Sequence, residues 1–272
     1  MTQTVSSLSI AMMTLALIFS ILLPIGLFIY YRKKGADIPP FFVGCAVMLI
    51  FAFIIESLVH QVVLNMSPAG SVIVNNVVLY ALYGGIMAGL FEETGRFVAF
   101  KTVMRKYRGK DINALMYGAG HGGFEVLVVL GITMIGNIYL AVMANTGMAS
   151  SLMANAPAES AAALQTQIDS IAAIAPSIFL LGMFERVSGV ILHLSLSVLV
   201  WFAVKNGKTI LYPVAILLHA LADGVTVIVF RSGTAHAELV TEAVVFIISV
   251  IYAFFARKVW NREKVAADPA EM

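Results

Sequence analysis

Seven apolar runs, each about as long as a bilayer-crossing helix, leave this chain almost no choice of fold. They are Leu8 to Tyr31, Pro39 to Leu64, Val72 to Phe100, Ile112 to Met143, Pro176 to Val204, Leu211 to Phe230 and Ala237 to Phe255. About 20 apolar residues suffice for a helix to cross a hydrocarbon core of roughly 30 Å. The expected class is therefore all-α: a polytopic membrane helix bundle with about seven transmembrane helices. Composition agrees, with 60% hydrophobic and 12% charged residues and a mean hydropathy of +0.94. Soluble domains carry about 25% charged residues. One domain over residues 1–260 and a short cytoplasmic tail over 261–272 account for the length of 272.

Charge placement orients the bundle. The first run lacks a basic segment before it, exceeds a signal-peptide core and ends in Arg32-Lys33-Lys34, so it reads as an uncleaved helix with its N-terminus outside. Alternating sides then puts those three residues, the five between Lys101 and Lys110, Lys205, Lys208, Arg257, Lys258, Arg262 and Lys264 on the inner face. Only Arg231 falls outside, which the positive-inside rule reads as N-out, C-in. The net charge of +2 thus reports topology and implies no nucleic-acid partner. Cys45, the single cysteine, excludes a disulfide framework and a thiolate metal cluster. The outer loop from Ala144 to Ala175 has no Lys or Arg, and Leu164, Ile168, Ile171 and Ala175 recur at helical spacing. It reads as an amphipathic connector with one face on the headgroups or the bundle; a lid is the other reading.

Ionisable residues nevertheless sit inside these runs: Glu92, Glu93 and Arg96; His121 and Glu125; Glu185 and Arg186; His193; His219 and Asp223. Each costs at least about 2.5 to 3.5 kcal/mol at a helix centre, so they must pair or line a wet cavity. Glu92, Glu93, His121, His193 and His219 lie seven to eleven residues from the inner ends of four helices. At about 1.5 Å per residue they share a depth of roughly 10 to 17 Å and can meet in one site. Glu125 and Asp223 follow His121 and His219 at i+4, on the same helix faces.

Several of these residues also have structural readings. Arg96, at i+4 from Glu92, is expected to be its salt-bridge partner. Glu56 with His60, and Glu185 with Arg186, read as buried structural pairs. Gly118, Gly120, Gly122 and Gly123 around His121 either let a neighbouring helix approach or leave room for water and substrate.

Glu92-Glu93-Thr94-Gly95-Arg96, Tyr117 to His121 and His219 to Asp223 resemble the EExxxR, FxxxH and HxxxN/D motifs of the type II CAAX protease and bacteriocin-processing superfamily. The HGGFE string at 121–125, Glu185-Arg186 followed by His193 and the overall length look most like its YhfC branch of membrane peptidases, over essentially the whole chain. The resemblance implies an intramembrane endopeptidase, hydrolysing membrane-embedded or membrane-proximal peptides in a bacterial plasma membrane. Carried onto this sequence, Glu92 or Glu93 with His121 activates water, and His219 with Asp223 supports the oxyanion; Arg96, Tyr117, Glu125 and His193 are supporting residues. The first motif is one residue short, which leaves Glu92 and Glu93 undistinguished, and Tyr117 replaces Phe. An ionised Asp223 can only accept hydrogen bonds, so its expected role is to orient His219.

Peptide hydrolysis needs an activated water, a proton donor to the leaving nitrogen and fixed donors at the oxyanion, and a Glu/His cluster supplies all three without a cofactor. The rival mechanism is a zinc site of His121, His193 and His219 with Glu92 as base; there is no HExxH motif. Two other classes stay open. Intramembrane His, Glu and Asp also build proton or metal transport paths. The Aph subunit of gamma-secretase, similar to this superfamily, is a scaffold with seven spans; retention of both glutamates and the later histidines favours an enzyme.

Overall fold

A computed structural model describes residues 4–234 and 236–265, and these form helices and turns with no strand among them. The long helices are α1 (Ser7–Lys33), α2 (Pro39–Met66), α4 (Val77–Lys101), α5 (Ile112–Asn145), α8 (Pro176–Lys205), α9 (Leu211–Phe230) and α10 (Ala237–Val265). Short helices α3 (Ala69–Asn75), α6 (Met148–Ala154) and α7 (Ala158–Ala173) complete the order. Helix α2 is wound as a π-helix over Met48–Glu56 and Gln61–Met66, and α5 over Leu127–Ile132. The protein is an integral, multi-pass, all-α membrane bundle.

The third apolar run is not one straight helix. It breaks by 108° between α3 and α4. Asn76 leaves helical geometry with φ −115° and ψ 112°, and its side chain accepts hydrogen bonds from the Val78 and Leu79 backbone N–H groups. An N-cap satisfies donors that the first turn leaves open, so a new helix starts there. Helix α10 runs beyond Phe255 to Val265, into the segment read as tail; residues 266–272 lie outside the described residues.

The chain divides into two compact units. One comprises residues up to 23 together with 126–186. Its core joins Met13, Ala16, Leu130, Met134 and Ile171, and Asn145 pins the chain start by bonding both the N–H and the carbonyl of Val5 at 2.8 Å. Ile168 and Ile171 of α7 are buried, Ile168 among Met143, Ala144 and Ala149. The amphipathic connector thus lays its apolar face on its own unit.

The other unit, 24–125 with residues from 187 onward, holds the ionisable cluster. Helix α8 is its centre: 72% of its apolar window is enclosed by protein, against 17% for α9 and α10. Side chains such as Leu82, Leu217, Leu221 and Phe254 are exposed on the outer faces, as lipid-facing residues should be. Polar contacts fasten the helix ends. Asp37 accepts from Lys110 Nζ at 2.7 Å and Asn113 Nδ2 at 2.9 Å, and those bonds hold its carboxyl below the ordinary carboxylate range. Asp111 likewise accepts from Trp201 Nε1 at 2.8 Å and Lys205 Nζ at 2.6 Å.

Candidate active site

Glycines set how closely the site-bearing helices approach. On α4, a Cβ on Gly89 would stand 2.6 Å from the Ile216 carbonyl oxygen, and one on Gly85 would strike the Ala220 carbonyl. Those two glycines, four apart, let the α9 backbone lie against α4, the small-residue packing common between membrane helices. Gly120 rests on the Phe41 backbone of α2, Gly118 lies 3.1 Å from Leu194 Cα and Gly122 lies 3.2 Å from His193 Cβ, each measured from a built Cβ. Close packing is therefore what the glycines around His121 do, and its product is to bring His193 beside His121, with ring centroids 5.0 Å apart.

The predicted residues of the four helices meet. Glu92, Glu93, Arg96, His121, His193 and His219 are all buried. His121 Nε2 lies 2.9 Å from Glu92 Oε2, and His193 Nδ1 lies 3.8 Å from the same oxygen. His219 Nδ1 donates to Glu93 Oε1 at 2.8 Å, while its Nε2 stands 3.9 Å from Glu92 Oε1 and 3.6 Å from Asp223 Oδ2. Tyr117 stacks on His121 at 5.8 Å between centroids. The Asp223 side chain is 39% accessible, whereas those of the three histidines and two glutamates are 9% or less. Asp223 is the open edge of the cluster.

Helical geometry separates the two glutamates that the sequence leaves equivalent. Adjacent residues project about 100° apart at 3.6 residues per turn, so Glu92 faces the imidazoles of α5 and α8 while Glu93 turns to Arg96 and His219. Arg96 pairs with Glu93 at i+3, not with Glu92 at i+4 as expected. Either spacing brings side chains together on a helix; here the Glu93 oxygen that takes Arg96 also takes His219.

His193 has its tautomer set by its neighbours. Its Nε2 lies 2.7 Å from Glu125 Oε2, and its Nδ1 lies 3.4 Å from Arg96. A guanidinium only donates and an ionised carboxylate only accepts, so Nε2–H points to Glu125 and Nδ1 offers its one lone pair to Arg96, an N–H that a cation bound at Nδ1 would have to displace. A carboxylate behind the outer nitrogen is the usual support for a histidine that binds metal.

The donor set suits a cation. Ligand atoms of Glu92, His121 and His193 all lie within 4.8 Å of one another, and all three residues are buried. His121 Nδ1 has no hydrogen-bond partner among the described residues. Two imidazoles and one carboxylate are a ligand set of catalytic zinc. This group differs from the expected set of His121, His193 and His219 in having Glu92 where His219 stood; the Nδ1 of His219 is turned to Glu93. The preference for no cofactor is unsupported.

Glu56 and Glu185 have pairs of their own. Glu56 is buried and accepts from His60 Nε2 at 3.1 Å, with His60 Nδ1 3.0 Å from the Tyr83 hydroxyl. Glu185 pairs with its neighbour Arg186 in the other unit.

No solved structure matches. An uncharacterized membrane protein, YhfC of Bacillus subtilis (strain 168), is 32% identical over 257 residues, covering 93% of this chain and 97% of that protein. The profile of the family described as YhfC intramembrane metalloprotease matches residues 19–245. With that profile spanning most of its length, the chain belongs to the YhfC intramembrane metalloprotease family.

Proposed function

We propose that this protein is a metal-dependent intramembrane endopeptidase in which Glu92, His121 and His193 hold one divalent ion, with zinc the first candidate. The observation that carries the reading is the buried Glu/His/His group, backed by Glu125 on the outer nitrogen of His193. The family description supports it. When bound, such an ion acidifies water and polarises a carbonyl.

The chain's own groups complete the chemistry. Glu92 turns Oε2 to His121 and His193 and Oε1 toward His219, so one carboxylate can serve as ligand and also accept a proton from the attacking water. His219 stands between Glu92 and Asp223, placed to donate to the carbonyl oxygen as charge develops and then to the leaving nitrogen. Glu93 orients the other face of that ring. Arg96 balances Glu93, and Asp223, at the open edge, adjoins the route by which a membrane peptide reaches His219.

The test is cleavage of a transmembrane model peptide by purified protein, with metal content measured on the same sample. Activity should vanish on chelation and return with Zn²⁺. Cleavage at the parent rate by protein stripped of metal would restore the metal-free glutamate mechanism. Glu92-dependent proton or metal flux in vesicles without any cleavage would replace the enzyme with a transporter.

A further inference from the structure

A groove of about 500 Å³ opens on the side of the site-bearing unit between α5, α8 and α10. Leu115, Leu194 and Val198 form its apolar wall, and Arg257, Trp260 and Asn261 stand along its α10 rim. Its level is fixed by the helix ends. Asn206, just past α8, donates to the Glu263 carbonyl oxygen at 3.1 Å, so the rim lies within about two turns of the helix ends. Tryptophan is enriched at that interface. Arg257 is exposed and makes no hydrogen bond or ion pair among the described residues.

We propose that this groove is a binding site for one anionic phospholipid of the surrounding leaflet. An acyl chain lies along Leu115, Leu194 and Val198, and the phosphate takes the Arg257 guanidinium and the Asn261 amide. The polarity of the groove matches that of the ligand: apolar toward the hydrocarbon, with an uncompensated cation and a neutral donor at headgroup level. A guanidinium meets phosphate oxygens with two parallel hydrogen bonds, whereas a zwitterionic headgroup brings its own cation and gains less. Occupancy also bears on the site. Helix α8 is the shared wall, since Leu194 and Val198 line the groove while His193, on a different face, reaches Glu92 and Glu125. A seated lipid braces that helix from behind.

The experiment uses full-length protein in a neutral detergent, titrated separately with phosphatidylglycerol, phosphatidylcholine and inorganic phosphate. Retained lipid is counted by native mass spectrometry, and thermal unfolding is followed in parallel. Phosphatidylglycerol should be retained in preference to phosphatidylcholine and should raise the unfolding midpoint; phosphate alone should not. Arg257→Gln should lower phosphatidylglycerol retention by about fivefold or more, the effect of removing one cation near a charged membrane surface. Ala253→Trp, which fills the groove while keeping Arg257, should lower it too. Asn261→Leu is the second headgroup variant should Arg257→Gln fail to fold. Unchanged retention in the variants that fold overturns the proposal. So does stabilisation by phosphate alone, which would mean an anion site without a chain, or a dimer that Ala253→Trp dissociates, which would mean a second copy occupies the groove.

Discussion

Glu92 and Glu93 are neighbours in sequence with separate fates. Glu93 and Arg96 are both 0% exposed and pair with each other. Breaking a buried pair from one side leaves a charge uncompensated, at a cost of about 3 to 5 kcal/mol. Glu93→Gln should therefore lower the thermal unfolding midpoint sharply. Glu92→Gln keeps shape and most hydrogen bonding, so it should fold and bind lipid normally while peptide cleavage drops by at least about 10²-fold. Glu125→Gln should act at a distance, weakening metal affinity by about 10- to 100-fold, with cleavage recovered at high Zn²⁺. A Glu125→Gln protein with unchanged metal affinity would remove Glu125 from the support of His193. The meeting of Glu92, His121, His193 and His219 was legible because all lie at one depth. Their pairing was not. Spacing allows Arg96 either glutamate, and the contact of Glu125 with His193 joins residues 68 positions apart, which only the packing of α5 on α8 creates.

Helix ends were the most readable feature of the elements, because hydropathy falls where lipid stops. The observed Leu211–Phe230 coincides with the expected run, and α1, α5 and α8 exceed theirs by one or two residues at an end. The break at Asn76 was hidden because apolar residues continue on both sides of it, and its cause is a cap, which a hydropathy average cannot register. The end of α10 was hidden for the opposite reason, since its last turns carry Arg257, Lys258, Arg262 and Lys264 beyond the apolar run. Contact between α4 and α9 depends on Gly85 and Gly89. Gly89→Ala should push the Ile216 carbonyl away and open the His219 to Glu93 bond, lowering stability by about 1 to 3 kcal/mol, the usual cost of overpacking. Gly84→Ala is the control, because a Cβ there meets nothing within 4 Å. Equal unfolding midpoints for the two variants would mean that α4 and α9 are not held at this distance by glycine.

For the whole molecule, the basic residues predict which way the bundle faces. Cys45 lies within α2 and donates to the Gly120 carbonyl at 3.3 Å, so it should stay unlabelled by a membrane-impermeant maleimide in intact cells. Against that background Ser232→Cys, beyond α9, should label from outside and Lys208→Cys, between α8 and α9, only after permeabilisation. The reverse pattern would invert the assigned orientation. The depth of the cluster has one more consequence. On α4, α5 and α9, Glu92, His121 and His219 lie eight or nine residues from Lys101, Ile112 and Leu211, all on one side of the bundle. A membrane-spanning substrate cut at that level would keep on the nearer side an apolar stub of about nine residues, far below the roughly 20 that a span requires. Such a stub no longer anchors what it is attached to. Its departure into the aqueous compartment on that side would make the cut irreversible by dilution, and that compartment would receive the released fragment.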